Sequence, residues 1–143
     1  MKIIFDYNRT IFNPEADSLY QGVVKLLQDL SKKNELFLIS RNEPGRKNKL
    51  KKLGIEQYFE NITFVEEKTI ELFKELAQGD KNILVIGDRV KEEICIGNQL
   101  NFITIWVQQG KFANELPTKS EEKPSFTVKN IEEIKNIVSQ YEN

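Results

Sequence analysis

Short, wholly apolar runs alternate with longer amphipathic runs along the whole chain, and this alternation constrains the fold more than any other property of the sequence. Ile3–Phe5, Glu35–Ser40, Ile62–Phe64, Ile83–Ile86 and Phe102–Val107 read as strands. Runs that are apolar throughout, as in Ile3-Ile4-Phe5, belong to strands covered on both faces. Between them the apolar residues move to helical spacing. Leu19, Val23, Leu26, Leu27 and Leu30 mark a helix over Leu19–Lys32, with Asp17 or Ser18 as its N-cap. Further helices are expected at Arg46–Leu53, stopped by Gly54, at Thr69–Leu76, at Glu92–Leu100 and at Ile131–Val138, with Thr127-Val128 as a last edge strand. Strand and helix in strict alternation imply an α/β protein: a three-layer, doubly wound, mostly parallel sheet with helices on both faces. At 143 residues, with no long linker, the chain is expected to form a single domain spanning 1–143.

Composition narrows the chemistry. The chain has no histidine, which excludes His-based triads, His-ligated zinc and His phosphotransfer. Carboxylates, hydroxyls, lysine and arginine remain. The single cysteine, Cys95, cannot form an intramolecular disulfide, and no signal peptide or membrane-length apolar segment is visible, so a cytoplasmic location is expected. A formal net charge of −1 provides no global field for nucleic acid or membrane.

Open α/β sheets place ligands in the crevice outside the carboxyl ends of their strands. The residues found there are Asp6 after the first strand, Ser40 after the second and Asp88 after the fourth, while Lys68 opens the helix after the third. Each has an ordinary reading when taken singly: Ser40 as a loop cap, Lys68 as a solvated lysine, Asp88 as a turn aspartate. Jointly they form a chemical set. Two carboxylates from separate strands suit a hard cation such as Mg²⁺, and a hydroxyl and an ammonium beside it suit phosphoryl oxygens. One carboxylate is then free to attack phosphorus.

Asp6-Tyr7-Asn8-Arg9-Thr10, Leu38-Ile39-Ser40, Lys68, and Ile86-Gly87-Asp88 with Glu93 five residues on occur in the order of four motifs. In this the chain resembles the haloacid dehalogenase-like (HAD) superfamily of phosphohydrolases, and the resemblance covers nearly its whole length. It implies Asp6 as nucleophile and Mg²⁺ ligand, the Asn8 backbone carbonyl and Asp88 as further ligands, and Ser40 and Lys68 on the phosphoryl oxygens, with Arg41 beside them. It also implies that Glu93 supports the metal site or the loop bearing Asp88, and that Thr10 braces the loop after the first strand.

The sequence departs from the family pattern at position 8, where Asn stands in place of the usual general acid. A positioned acid or base contributes about 10²–10⁴-fold. The expected activity is therefore a Mg²⁺-dependent phosphatase that is slow or selective for good leaving groups, unless Glu43 or the substrate supplies the proton. The alternative is a catalytically impaired module that binds a phosphorylated ligand. Arg9 reads equally as a phosphate contact, an obstruction or a solvated loop residue.

Phe12 to Leu19 leaves a short loop, and Ser40 to Lys68 holds one helix, a loop and a short strand, so neither gap accommodates a cap domain. An open site suits a phosphorylated substrate of large size. Small capless relatives often self-associate, so the resemblance also admits a homo-oligomer. Arg41, Arg46, Lys47, Lys49, Lys51 and Lys52 concentrate positive charge after the second strand, but no aromatics interleave with them. The preferred reading is a solvated helix face and not a nucleic-acid groove. Trp106 lies within a strand and reads as core or interface. A response-regulator receiver domain uses similar groups, but it needs an aspartate after the third strand, where this chain has Val65-Glu66-Glu67.

Overall fold

The computed structural model describes residues 1–142. Six strands form one sheet in the order β5-β4-β1-β6-β7-β8: β1 is Lys2–Asp6, β4 Glu35–Arg41, β5 Asn61–Val65, β6 Ile83–Gly87, β7 Ile103–Val107 and β8 Phe126–Val128. Every neighbouring pair is parallel. The chain winds outward from β1 through β4 to β5, then returns to the other side of β1 and winds outward again. The switch falls beside β1, which puts the ligand crevice at the carboxyl ends of β1, β4 and β6.

The period-two alternation of strand side chains sorts the core into two layers. Ile3, Phe5, Leu36, Leu38, Leu84 and Ile86 face one side. There they pack against α1 (Val23–Ser31), α2 (Arg46–Leu53) and α5 (Ile134–Ser139) through residues such as Leu27, Leu50 and Ile134. Ile4, Phe37, Ile39, Ile83 and Val85 face the other side, against Phe73 and Ala77 of α3 (Ile70–Ala77) and Ile96 of α4 (Cys95–Gln99). Asp6 continues the row of Ile4, so its carboxylate falls on the α3–α4 side. Lys2 occupies the same row at the other end. Its buried ammonium donates to the last carbonyls of α3, Leu76 O at 3.2 Å and Ala77 O at 3.1 Å, and pairs with Asp80 at 3.1 Å.

Two expected helices begin later than the periodicity predicts. Phe12–Asn13 (β2) and Ser18–Leu19 (β3) pair as a small antiparallel hairpin, so α1 starts at Val23 and neither Asp17 nor Ser18 caps it. The chain enters α1 through Gly22 at φ 88°, where a Cβ would lie 2.5 Å from Glu132 Cγ. The run predicted as helix from Glu92 is helical only over Cys95–Gln99. Val90–Ile94 forms an irregular turn in which Glu92 leaves helical geometry (φ −114°, ψ −105°). The closing helix begins with a tight turn at Ile131–Glu133, where the Asn130 side chain accepts from Glu132 N and Glu133 accepts from Asn130 N, both at 3.1 Å. Among the described residues no helix is long and apolar enough to cross a membrane.

Candidate active site

Asp6 ends β1 with 8% of its surface exposed, and its two oxygens have different partners. Lys68 Nζ donates to Oδ1 at 2.5 Å, and Thr10 Oγ1 donates to Oδ2 at 3.0 Å. Lys68 comes from the loop before α3, whose N-terminus is fixed by Thr69 accepting from Leu72 N at 3.2 Å. Asp88 follows β6, and Glu93 lies on the irregular turn after it. Asp6, Asp88 and Glu93 are all buried, and one oxygen from each falls within 4.8 Å of the others. Lys68 also lies 3.5 Å from Glu93 Oε2.

Gly87 makes the approach of Glu93 feasible: a Cβ there would stand 2.3 Å from Glu93 Cγ. The loop bearing Asp88 is held from β7. Trp106 Nε1 donates to Asp88 O at 2.9 Å, and its buried ring packs with Val90 and Ile94.

Three carboxylates and one ammonium cannot all ionise freely in a buried pocket. Burial pushes Asp6 up, but the charge of Lys68 and hydrogen bonds from Asp88, Lys68 and Thr10 outweigh it, so this carboxyl titrates below its usual range. Asp88 is pushed up to about 10 by burial and by the charges of Asp6 and Glu93. Glu93 is pushed up to about 8 by burial, opposed by Lys68 and reinforced by Asp6. Burial works against the charged form of Lys68, but Asp6 and Glu93 overcome it and raise its affinity for the proton. The result is an ionised Asp6 beside a protonated Asp88.

A divalent cation fits this set. Glu93 Oε1 is buried without a hydrogen-bond partner among the described residues. The protons held on Asp88 and Glu93 are those a hard cation displaces when it takes carboxylate oxygens.

A HAD-hydrolase-like family model matches residues 67–134, a stretch of just under half of the chain that carries Lys68, Asp88 and Glu93. A haloacid dehalogenase-like hydrolase from Burkholderia xenovorans superposes with a TM-score of 0.82 at 10% identity, over 98% of this chain and 97% of that one. This is a HAD-like fold. The HAD-hydrolase YfnB from Bacillus subtilis, determined with bound magnesium, superposes with a TM-score of 0.70 at 20% identity, over 84% of this chain and 56% of that one. In sequence, the glyceraldehyde 3-phosphate phosphatase of Methanopyrus kandleri is 25% identical over 101 residues, which cover 64% of this chain. The matched region spans 43% of that relative's length.

On this HAD-like fold the other residues singled out in the sequence also reach the crevice. Asn8, Arg9, Ser40 and Arg41 line a cavity of about 220 Å³ together with Asp6, Lys68 and Asp88. Ser40, fully buried, donates from Oγ to Arg41 O at 3.0 Å. Arg41 is half exposed, with Nη2 on Glu92 Oε1 at 3.1 Å. Arg9 adopts the left-handed conformation (φ 60°), and its Nη2 donates to Glu15 Oε1 at 3.1 Å. Glu43 also lines this cavity, with one carboxylate oxygen paired to Arg46 at 2.8 Å and the side chain half exposed.

Arg46 is the residue sequence reasoning misplaced. Read as part of a solvated basic face, it is buried: it donates to Ser40 Oγ and its guanidinium lies 4.4 Å from the centre of the buried Tyr7 ring. Its helix is otherwise solvated, and the pattern offers only one hint. Arg46 and Leu50 are four residues apart, and both are buried.

Proposed function

We propose that this protein is a Mg²⁺-dependent phosphohydrolase that works through an aspartyl-phosphate on Asp6. The observation that carries the reading is the setting of the Asp6 carboxylate: buried, hydrogen-bonded by Lys68 and Thr10, and grouped with two further acids. Asp6, Asp88 and Glu93 would hold the cation, with the Asn8 carbonyl as the remaining protein ligand the motif implies. When bound, the cation supplies charge neutralisation at the phosphoryl oxygens.

The chain's own residues account for the rest. Lys68 and Ser40 receive the non-bridging phosphoryl oxygens. Arg46 occupies a lone pair of Ser40 Oγ, which leaves the Ser40 hydrogen free to turn from Arg41 O to the substrate. An Asp6 oxygen attacks phosphorus, the bond from phosphorus to the leaving oxygen breaks, and that oxygen departs with the electron pair. Asn8 has no proton to give, so a leaving group stable as an anion is favoured. Water then attacks the phosphorus of the aspartyl-phosphate, the bond to the Asp6 oxygen breaks, and inorganic phosphate is released with the carboxylate regenerated.

Only the small β2–β3 hairpin lies between β1 and α1, which supports a site open to a phosphoryl group on a large substrate or to a second copy of the chain. Asn8 favours one other reading, a module that binds a phosphorylated ligand without efficient turnover. A phosphatase panel with and without Mg²⁺ separates the two. Turnover of p-nitrophenyl phosphate that requires Mg²⁺ and disappears in Asp6→Asn establishes the hydrolase. Tight binding of phosphate esters without phosphate release establishes the module.

A further inference from the structure

The chain has 21 basic residues, and only four of them are arginines. All four, Arg9, Arg41, Arg46 and Arg89, line the one cavity that contains Asp6. The lysines, Lys68 apart, lie elsewhere. Arginine and lysine carry the same charge but differ in use: the planar guanidinium fork is suited to bidentate contact with carboxylate and phosphoryl oxygens. This partition of basic residues points to anion recognition beyond what one phosphoryl group needs, because Ser40, Lys68 and a cation already suffice for that group.

The guanidiniums are held in two places. Arg46 backs Ser40 at the floor of the cavity. Arg41 and Arg89 also line it, one from the end of β4 and the other from the loop after β6. Arg89 is braced there on the Phe112 ring, 3.7 Å from its centre, and by Glu115 at 2.9 Å. Between Arg41 and Arg89 lies one carboxylate, Glu92. Its Oε1 accepts from Arg41 Nη2 at 3.1 Å and its Oε2 from Arg89 Nη1 at 2.6 Å. Two guanidiniums from separate strand ends thus converge on a single carboxylate beside the proposed seat of the phosphoryl group, and that carboxylate belongs to a side chain on an irregular turn.

We propose that the site selects phosphorylated substrates carrying a second anionic group, carboxylate or phosphoryl, close to the reacting phosphoryl group, and that Arg41 and Arg89 bind this second anion at the place Glu92 fills in the free protein. The proposal rests on the reading of Asp6, Ser40 and Lys68 as the phosphoryl site. The remainder of such a substrate extends from the cavity into solvent.

Non-hydrolysable probes test it: propylphosphonate, 3-phosphonopropionate and ethylene-1,2-bisphosphonate, titrated calorimetrically at fixed free Mg²⁺ and as inhibitors of p-nitrophenyl phosphate turnover. The two probes with a second anion should bind about tenfold more tightly than propylphosphonate, and the preference should fall below about threefold in R41Q/R89Q. Comparison of the carboxylate and bisphosphonate arms identifies which second anion is preferred. E92Q removes the competing carboxylate and should increase the preference; it tests the same contact if the arginine pair fails to fold. Equal affinity for the three probes, no phosphonate binding at all, or a preference unchanged in both R41Q/R89Q and E92Q overturns the proposal. If calorimetry shows the preference while p-nitrophenyl phosphate is not hydrolysed, the hydrolase reading falls and the selectivity stands. If turnover proceeds without the preference, the selectivity falls alone.

Discussion

Lys68 donates to Asp6 Oδ1 at 2.5 Å across 62 residues of chain, and both groups are buried. The pair ties the loop before α3 to the end of β1, and it balances one of three clustered carboxylates. Removing one member of a buried pair leaves an uncompensated charge and costs about 3–5 kcal/mol. Lys68→Met should therefore lower the unfolding free energy in urea by about 3 kcal/mol at neutral pH and abolish turnover.

Asp88 is expected to respond in the opposite way. Its carboxyl pays for burial and for proximity to Asp6 and Glu93. Asp88→Asn should raise the Tm of the metal-free protein and eliminate the upward shift expected of Mg²⁺ in the wild type. A lower metal-free Tm, or a retained Mg²⁺ shift, would count against a shared cation site.

The pH dependence of stability follows from the same crowding. In the folded protein burial and the neighbouring carboxylates push Glu93 up to about 8 and Asp88 up to about 10, above their unfolded values. The folded state therefore binds more protons than the unfolded state, and stability falls with rising pH between the unfolded and folded values. Thermal melts of the metal-free protein from about pH 5 to pH 8 should show a declining Tm over the window in which unfolded carboxyls are already ionised. Mg²⁺ should flatten the decline, and calorimetry at pH 7 should register proton release as the ion binds.

Trp106 acts on the site through Asp88, since its indole N–H donates to the Asp88 carbonyl at 2.9 Å. Trp106→Phe keeps most of the packing with Val90 and Ile94 but leaves that carbonyl without its donor. The expected loss is about 1–3 kcal/mol in stability. Apparent Mg²⁺ affinity should weaken about tenfold, read from the Mg²⁺ dependence of turnover, because the loop carrying the ligand is no longer fixed.

Gly87 can be tested by a pair of substitutions. Gly87→Ala should push Glu93 out of the cluster and weaken Mg²⁺ binding. In a Glu93→Ala background the same change should have little effect, because the side chain it meets is gone. Additive losses would mean that Gly87 is needed for a different reason.

Much of this was legible in the chain itself. The apolar runs of β1, β4 and β6 and the polar residue closing each give the sheet and its functional rim, because burial on both faces writes a continuous apolar pattern. Asp6, Ser40, Lys68 and Asp88 stand out by their position after such runs, and the structure gathers all four around one cavity. The hairpin before α1 was missed because strands of two residues have no periodicity, and Leu19 fits the helical spacing by coincidence. The turn at Glu92 was missed because Val90 and Ile94 are four apart, as in a helix, yet both serve to pack against Trp106. Arg46 was misjudged for a related reason: the four lysines of the same helix hide one guanidinium whose partners, Tyr7 and Ser40, come from the ends of β1 and β4.

Phe112 sits on the turn Gly110–Phe112, outside the sheet, yet the Arg89 guanidinium lies 3.7 Å from the centre of its ring. The groups proposed to perform the chemistry are anchored at strand ends, where a change in length would flip side chains to the opposite layer. The wall opposite them is an insertable segment between β7 and β8. Rewriting that segment can alter what the cleft accepts while the hydrolytic apparatus stays in register, so divergence in ligand preference among similar proteins should be concentrated there.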